Sequence, residues 1–464
     1  MELKAKINRH AIPLKIGIVG AGFTGTLIAA LLNQLSHDVL EIYLFEKSGC
    51  FGAGAAYITP FPHHLLNARA KDMSAFEESP THFIEWLEAD SIAKKYLDSM
   101  MPTGEQFVPR FLYRRYLQHL IDDIRLATQH KTILKLIHAE VIDAKIIDNK
   151  IALQLQDGGE IYVDKVVLAT GNHPQISFPF PVSADVNTIA NPWDYEAVQR
   201  IGAMDSVFIV GTGLSMIDVV LTLHYQHHQG RIHALSRHGL LPLPHAETST
   251  HADVTHDNLP KNLRQLTKYL RKKSLHLIGN GGDWRTVVNA LRPQVPLIWQ
   301  NVNENDKQRF MRHLLPYWNI HRHRVHAKLD ETLGNLRDAG QLKIYSGRVL
   351  SVDHGIATIK HRRTNHVQQI KVDWLVNCMG PSIHSAQTYH PLLTSLVEKG
   401  LVTLDSLNMG FVVSANGALK HANGNINHLF YTLGPTVQGT YWESVAVPEI
   451  RKQGLIVAKQ LLEA

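Results

Sequence analysis

A glycine-rich turn between a short apolar strand and a helix is the feature that most constrains the fold of this chain. Residues 15–19 (KIGIV) are apolar, residues 20–25 read GAGFTG, and the helical run TLIAALLNQL follows. Gly20 permits a tight turn, Gly22 allows the backbone to approach a pyrophosphate, and Gly25 allows close packing of helix against strand. The free N–H groups at the start of such a helix attract phosphate. The pattern predicts a dinucleotide-binding unit.

An acidic residue at the expected distance strengthens this prediction. The next apolar strand, EIYLFEK, contains Glu46 about 20 residues beyond Gly25. A carboxylate in this position accepts hydrogen bonds from ribose hydroxyl groups. We therefore assign Phe23, Thr24 and the neighbouring Lys47 to the same nucleotide site. FAD and NAD share this pattern, so the pattern does not distinguish between them.

A second turn of the same kind lies in the middle of the chain. Residues 208–218 read FIVGTGLSMID, which again describes a strand, a Gly-x-Gly turn and the start of a helix. Met216 stands where the third glycine of the motif would be. A flexible methionine can fill the gap that this substitution leaves between helix and strand. We therefore predict a second nucleotide site at Gly211, Gly213 and Ser215.

The residues after the next strand indicate which nucleotide binds there. The strand RIHALSRHG ends at Ser236 and Arg237, where an NAD site usually carries Asp or Glu. An arginine can instead pair with a ribose 2′-phosphate, aided by the serine hydroxyl. The sequence thus favours NADPH over NADH. The alternative interpretation is a solvent-facing arginine at the end of a strand.

Composition narrows the class of protein further. The chain has 464 residues, of which 44% are hydrophobic and 19% charged, which predicts two or three globular domains. The net charge of +6 suits anionic ligands but is too diffuse to indicate nucleic acid. Neither a signal peptide nor a long apolar run is present, so we expect a cytoplasmic protein without a membrane partner. The two cysteines form no CxxC pair and the 29 histidines no HExxH motif, so no metal site is predicted.

Two further predicted strands share a common pattern of residues. Residues 164–171 (DKVVLATG) and 371–380 (KVDWLVNCMG) each combine an aspartate, an apolar run and a glycine. Together with GAGFTG, Glu46 and VGTGLS, they resemble the two-dinucleotide-binding flavoprotein superfamily, which includes flavin-containing monooxygenases, N-hydroxylases and glutathione-reductase-like enzymes. Longer segments resemble a narrower group of bacterial uncharacterised FAD/NAD(P)-binding proteins, namely GAGAAY, HLLNARAKDMSAF, FVPRFLYRRYL, SRHGLLPLPH, YWNIHRHR and GTYWESVAVPEIRKQ.

This resemblance implies an α/β fold with two nested Rossmann-like FAD/NAD(P)-binding domains and a helical insertion. The FAD-binding domain would comprise residues 1–185 and 371–464. The NAD(P)-binding domain would comprise residues 186–370, with the insertion at about 251–340. The insertion is rich in tryptophan, arginine and histidine. These side chains either supply cations for an acidic substrate or for the NADP phosphates, or they are structural. The basic segment KNLRQLTKYLRKK within it is interpreted as a solvated helix face rather than a nucleic-acid surface.

The resemblance also implies which residues contact FAD. Gly434-Pro435 stands where the superfamily commonly has a glycine-aspartate pair beside the flavin. Trp442 and Glu443 are candidates for one side of the flavin. The complete predicted FAD site is Gly20, Gly22, Phe23, Thr24, Gly25, Glu46, Lys47, Asn67, Met73, Val141, Thr170, Gly171, Gly434, Gly439 and Thr440.

The expected function is that of an FAD-dependent NAD(P)H oxidoreductase with monooxygenase-like chemistry. It would transfer a hydride from NADPH to FAD, and electrons then to O2 or an unidentified small substrate. No catalytic side chain is predicted, because the isoalloxazine carries the redox chemistry. Two alternatives are an NADPH oxidase or reductase without oxygenation, and a non-enzymatic FAD/NAD(P)-binding regulatory protein.

Overall fold

The computed structural model describes residues 13–126, 131–172, 177–248, 252, 254, 259–380 and 390–463. The strands within these residues are β1 (Leu14–Val19), β2 (Leu40–Phe45), β3 (Thr132–Ile137), β4 (Val141–Ile147), β5 (Lys150–Leu155), β6 (Glu160–Val163), β7 (Lys165–Leu168), β8 (Asn187–Ile189), β9 (Val207–Val210), β10 (Ile232–Ser236), β11 (Leu342–Asp353), β12 (Ile356–His361), β13 (Val367–Lys371), β14 (Trp374–Asn377), β15 (Ala418–Lys420) and β16 (Ile426–Thr432).

The helices follow the same order along the chain. They are α1 (Phe23–Leu35), α2 (Gly54–Tyr57), α3 (His82–Ala89), α4 (Arg110–Leu126), α5 (Tyr195–Gln199), α6 (Leu214–Tyr225), α7 (Leu263–Gly279), α8 (Trp284–Leu291), α9 (Val295–Asn301), α10 (Glu304–Arg309), α11 (Leu315–Arg322), α12 (Ala327–Asp338), α13 (Pro391–Glu398) and α14 (Val447–Leu462). A π-helical turn at Phe310–Leu314 joins α10 to α11. No helix among the described residues has the length and apolar character needed to cross a membrane.

The first large sheet is built from both ends of the chain. Its strand order is β15-β16-β7-β1-β2-β3. Strand β1 pairs in parallel with β2 and β7, and β16, close to the C-terminus, pairs in parallel with β7. Helices α1, α4 and α14 cover this sheet, and their apolar side chains share one core with it. The predicted nested α/β fold is therefore confirmed.

The second large sheet has the order β13-β12-β11-β10-β9-β14-β8. Its centre is parallel, because β9 pairs in parallel with both β10 and β14. Strand β14 lies in this sheet, although the segment 371–380 was predicted to begin the second part of the FAD-binding domain. That assignment of the strand is wrong, because an apolar run followed by glycine is equally suited to either parallel sheet. The exact domain boundaries stay a prediction.

The predicted insertion is helical, and its last helix belongs to the second sheet. Leu329, Leu333 and Leu336 of α12 are buried in the same apolar core as β9 and α6. Helix α12 leads into β11, which pairs in parallel with β10. It is therefore the crossover helix of a βαβ unit. Helices α7, α8, α9 and α11 and the π-helical turn instead contribute to a separate apolar cluster, which also includes Trp442.

Candidate functional site

The first glycine turn is fixed by close contacts of its backbone. Gly20 has a φ of 103°, and a Cβ atom there would overlap the carbonyl oxygen of Ala169 at the end of β7. A Cβ atom at Gly25 would overlap the carbonyl oxygen of Gly20. Both positions therefore require glycine. The turn lies where β1 and β7 end side by side at the carboxyl edge of the sheet.

Glu46 lies directly beside this turn. Its Oε2 accepts a hydrogen bond from the backbone N–H of Ala21 at 3.1 Å, and its Oε1 accepts from the N–H and hydroxyl of Ser48. These three bonds fix the carboxylate within reach of the turn and leave about one acceptor position free, since a carboxylate has about four. Lys47 is exposed and lies 3.5 Å from Glu140. The structure thus places Glu46 beside the first glycine turn.

The start of α1 is suited to receive a phosphate group. Its N-cap residue is Gly22, and no side chain caps the helix. The first N–H groups of the helix therefore have no side-chain acceptor and can bind an anion. The hydroxyl oxygen of Thr170 is buried and has no partner among the described residues. The start of α1 and the hydroxyl of Thr170 thus offer unused hydrogen-bonding groups at the same edge of the sheet, as a dinucleotide site requires.

The C-terminal part of the chain returns to this first turn. A Cβ atom at Gly434 would lie 3.2 Å from the hydroxyl oxygen of Thr24, which is buried near the start of α1. The N–H of Gly434 donates to Oε1 of Gln453 in α14 at 2.9 Å. Helix α14 packs along α1, where a Cβ atom at Gly454 would approach the side chain of Leu27. Gly434 thus belongs with the first turn, even though Pro435 replaces the usual aspartate.

The other predicted FAD residues are spread more widely. Asn67 is exposed, and its carbonyl accepts a hydrogen bond from His245 at 3.1 Å. Met73 and Val141 are 4% and 1% exposed, so their side chains are parts of two apolar cores. Gly439 contacts the helical insertion, because its carbonyl accepts a hydrogen bond from the indole of Trp299 at 2.9 Å. Their contacts with a cofactor stay predictions, as do those of Phe23, Gly171 and Thr440.

The second turn repeats the construction of the first. Gly211 has a φ of 114°, and a Cβ atom there would overlap the carbonyl oxygen of Cys378, just beyond β14. Gly213 caps α6 without a side-chain hydrogen bond, and a Cβ atom on it would meet nothing within 4 Å. Met216 is fully buried beneath the helix and fills the position of the missing glycine. Ser215 lies half-buried in the first turn of α6.

Ser236 holds this second turn in the way that Glu46 holds the first. The hydroxyl of Thr212, between the two glycines, lies 2.8 Å from the hydroxyl of Ser236. The N–H of Gly239 donates to the same serine at 3.0 Å. The serine therefore orders the turn and the loop after β10. It was predicted to assist a phosphate directly, and that role stays a prediction.

A group of cationic side chains lies at the end of β10. Arg237 is exposed, and its carbonyl accepts a hydrogen bond from Nη1 of Arg362 at 3.2 Å. The same Nη1 lies 3.0 Å from Nδ1 of His238. Partial burial lowers the pKa of His238, and the neighbouring Arg362 and Arg237 lower it further. Arg362 was missed in the sequence, because it follows β12 and comes near only through sheet pairing.

The two halves of the molecule meet at a buried ion pair next to the second turn. Arg110, the first residue of α4, binds Asp218 of α6 through two hydrogen bonds of 2.5 and 3.2 Å. The buried His64 reinforces this contact, with Nε2 3.0 Å from both the carbonyl of Asp218 and the hydroxyl of Thr222. These residues were not predicted as functional. They fix the two turns relative to each other.

The helical insertion forms an apolar cavity of about 640 Å³ that is partly open to solvent, because Leu275 and Ile278 of its lining are exposed. Its lining includes four tryptophans and carries few polar atoms. Glu443, the residue after Trp442 of the lining, is 2% exposed. Its carboxylate accepts hydrogen bonds from the indole of Trp318 at 2.9 Å and from Nε of Arg322 at 2.8 Å. Cavities of this size and character commonly bind small molecules. The tryptophans of the lining are Trp284, Trp299, Trp318 and Trp442.

Comparison with known families agrees with the geometry of the first turn. Residues 17–173 match a family model described as FAD-NAD(P)-binding, a range that contains the first glycine turn, Glu46 and Thr170. The chain therefore contains an FAD/NAD(P)-binding domain. A comparison with curated proteins gave no match. Among the described residues, no group of three His, Cys, Asp or Glu side chains is placed to hold a metal ion.

Solved structures share the fold along nearly the whole chain. The ornithine N-hydroxylase of Kutzneria sp. 744 is 14% identical with a TM-score of 0.64, covering 97% of this chain and 99% of that one. The L-lysine 6-monooxygenase of Pseudomonas syringae is 12% identical with a TM-score of 0.65, covering 96% and 98%. The thioredoxin reductase of T. acidophilum is 11% identical with a TM-score of 0.51, covering 96% of each chain. Fold and domain match together confirm the resemblance to the two-dinucleotide-binding flavoproteins.

Proposed function

We propose that this protein is an FAD-dependent NADPH oxidoreductase with monooxygenase-like chemistry. The observation that carries the proposal is the presence of two glycine turns of the same construction, each at the carboxyl edge of its own parallel sheet. One chain with two such turns is suited to hold one dinucleotide and to exchange electrons with another.

The surroundings of the two turns support different roles for them. The first turn is covered by Gly434 and by α14, which packs along α1. The second turn has open space beside Gly213. A covered site suits a resident cofactor, and an open site suits a nucleotide that binds and leaves. We therefore assign FAD to the first turn and NADPH to the second.

Each group of residues has a distinct role in this proposal. The N-terminus of α1 would bind the FAD pyrophosphate, and Glu46 would bind the adenosine ribose. Arg237 and Arg362 would bind the 2′-phosphate of NADPH. When bound, FAD supplies the chemistry that accepts two electrons from the nicotinamide and delivers them to an acceptor. The protein positions both nucleotides and controls the access of water.

The apolar cavity supports an organic substrate as the final acceptor. An NADPH oxidase needs no cavity of about 640 Å³ for O2, whereas a small molecule would fill it. Two proteins of similar fold, from Kutzneria and Pseudomonas syringae, are named as an N-hydroxylase and a monooxygenase. We propose a small molecule as partner rather than nucleic acid or a membrane, since Leu266 and Leu270 of the basic helix α7 line the cavity.

The test is anaerobic reduction of the FAD-reconstituted protein by NADPH and by NADH. We expect the oxidised flavin spectrum to be lost with NADPH at a second-order rate constant well above that for NADH. A protein that binds no flavin after reconstitution would contradict the proposal. If O2 is then admitted, stoichiometric release of H2O2 from the reduced protein with every candidate substrate would favour the oxidase alternative. Stable FAD binding without reduction would favour a regulatory protein.

A further inference from the structure

Arg324 is a buried cation without a carboxylate partner. Its residue is 8% exposed, and Nη2 donates to Oδ1 of Asn289 at 2.5 Å. Its Nε is buried and has no hydrogen-bond partner among the described residues. Among the same residues it makes no ion pair. An amide oxygen compensates only part of a guanidinium charge, so this side chain leaves binding capacity unused.

The arginines around it are each paired. Arg285 binds Asp283 at 2.8 Å, Arg292 binds Glu449 at 2.7 Å, and Arg322 binds Glu443 at 2.8 Å. Their carboxylates are therefore engaged, which leaves Arg324 as the unpaired member of the group. Burial lowers the pKa of Arg324 to about 10, and repulsion from Arg322, Arg285 and Arg292 acts in the same direction, opposed by Asp283. Even so, the side chain stays charged at neutral pH.

The nearby histidines do not change this charge balance at neutral pH. Burial lowers the pKa of His245 to about 4, and the charge of Arg324 lowers it further. Burial likewise lowers the pKa of His323 to about 4, with Arg322 acting in the same direction. Both rings are therefore neutral in the folded protein above about pH 6. The positive charge of Arg324 is left for another group to neutralise.

Arg324 contacts the polar side of helix α8, opposite the apolar cavity. Helix α8 is amphipathic. Its apolar side lines the cavity with Trp284, Val287, Val288 and Leu291. Arg285, Asn289 and Arg292 recur at helical spacing on the other side. From that side Arg285 donates to the carbonyl of Pro244, beyond β10, and Arg292 binds Glu449 in the first turn of α14. Asn289 is exposed, so the polar side of α8 borders solvent next to the buried Arg324.

We propose that Arg324 binds the carboxylate group of a small organic ligand on the polar side of α8, at a position separate from the apolar cavity. Isolated buried charges are costly, and removal of their partner leaves a protein less stable. A guanidinium fork matches the two oxygens of a carboxylate. A single unpaired arginine suits a single negative charge, whereas the nucleotide phosphates have the helix N-termini of the two turns. This proposal rests on the unpaired Arg324 and goes beyond the proposed function, which does not depend on it.

The experiment compares Arg324→Met with Arg322→Met in the FAD-reconstituted protein by thermal unfolding. Without ligand, R324M should raise Tm, because an uncompensated buried charge is removed. R322M should lower Tm, because the buried Glu443 loses its cationic partner and keeps only the indole of Trp318. Sodium benzoate should raise Tm of the original protein by several degrees through binding to the folded state. The same benzoate should leave Tm of R324M unchanged.

Other outcomes would overturn the proposal. A loss of stability in R324M equal to that in R322M would make Arg324 a structural residue. Benzoate stabilisation that survives in R324M would place the anion elsewhere. Stabilisation by inorganic pyrophosphate that is lost in R324M, with no effect of benzoate on the original protein, would assign the Arg324 site to a phosphate group. None of these measurements depends on turnover, so a failure of the proposed oxidoreductase activity is recognised separately by the reduction assay.

Discussion

Arg110 and Asp218 join the two halves of the molecule through a bidentate ion pair with hydrogen bonds of 2.5 and 3.2 Å. Arg110 begins α4, which packs on the first sheet, and Asp218 lies one turn into α6, the helix of the second glycine turn. The two side chains are 16% and 9% exposed. A pair with two aligned bonds at low exposure fixes orientation as well as distance. The separation of the two turns therefore depends on it.

Replacement of Asp218 by asparagine should destabilise the protein strongly. The variant leaves the buried guanidinium of Arg110 unpaired, and loss of one partner from a buried pair costs about 3 kcal/mol in the free energy of unfolding. Urea unfolding should show this as a lower midpoint. The matched control is Asp122→Asn, which breaks an exposed pair with Arg125 and should change stability by less than about 1 kcal/mol. Equal effects of both variants would contradict the role of the pair.

Alanine at Gly211 and at Gly213 should give opposite results for folding. Gly211→Ala places a Cβ atom against the carbonyl oxygen of Cys378 and should destabilise the second domain. Gly213→Ala meets open space, so thermal stability should stay close to that of the original protein. If NADPH binds against this backbone, its KM should nevertheless rise about tenfold, which corresponds to about 1.4 kcal/mol. An unchanged KM in G213A would remove the second turn from the nucleotide site.

The cationic group at the end of β10 predicts a selective effect on NADPH. Arg237→Ala and Arg362→Ala should each lower kcat/KM for NADPH by roughly 10- to 100-fold, because hydrogen bonds to charged groups contribute about 1.5–3 kcal/mol. The values for NADH should change little. The control is Arg363→Ala, since Arg363 is exposed beside Arg362. Equal losses with both nucleotides would show that these arginines do not recognise the 2′-phosphate.

Stability should fall as the solution becomes mildly acidic. Burial lowers the pKa of His233, His245 and His323 to about 4 in the folded protein, and the charges of nearby lysine or arginine side chains contribute. In the unfolded chain histidine titrates near 6.5. Between these values the unfolded chain binds more protons, so the free energy of unfolding decreases from about pH 6.5 towards pH 4.

The measurement for this pH dependence is the urea midpoint at pH 7.5 and at pH 5. His233 is 6% exposed, and its burial contributes to the loss of stability at low pH. His233→Gln should reduce the difference between the two midpoints, because glutamine does not titrate. Replacement of the exposed His37 by glutamine should leave the difference unchanged. A midpoint that rises on acidification would contradict this account.

The sequence contained enough local information to predict both glycine turns. Each turn needs a strand, a turn and a helix within about 20 consecutive residues, and Glu46 follows at a spacing set by one helix. The loss of the third glycine at Met216 did not obscure the second turn, because the two glycines nearest the strand are retained. The fold class and the return of the C-terminal segment to the first turn followed from the resemblance.

Features that depend on distant pairing were not predictable from one sequence. Arg362 meets Arg237 across 125 residues, through the pairing of β10, β11 and β12. Strand β14 was assigned to the wrong sheet because its residues suit either one. Arg324 has no ion-pair partner because the nearby carboxylates pair with other arginines. A local sequence pattern does not indicate which arginine a carboxylate pairs with. The sequence thus located the turns together with Glu46 and Arg237, but not the charged side chains that the pairing of distant segments brings near them.

In the described part of the first sheet, β7 pairs with β1 on one side and with β16 (Ile426–Thr432) on the other. During synthesis, the ribosome must therefore release more than nine-tenths of the chain before this edge can pair. Until then β7 exposes unsatisfied backbone groups that can pair with another chain. A nascent or truncated polypeptide that ends before β16 should thus be a client for chaperones and a source of aggregates, even though both of its glycine turns have already been made.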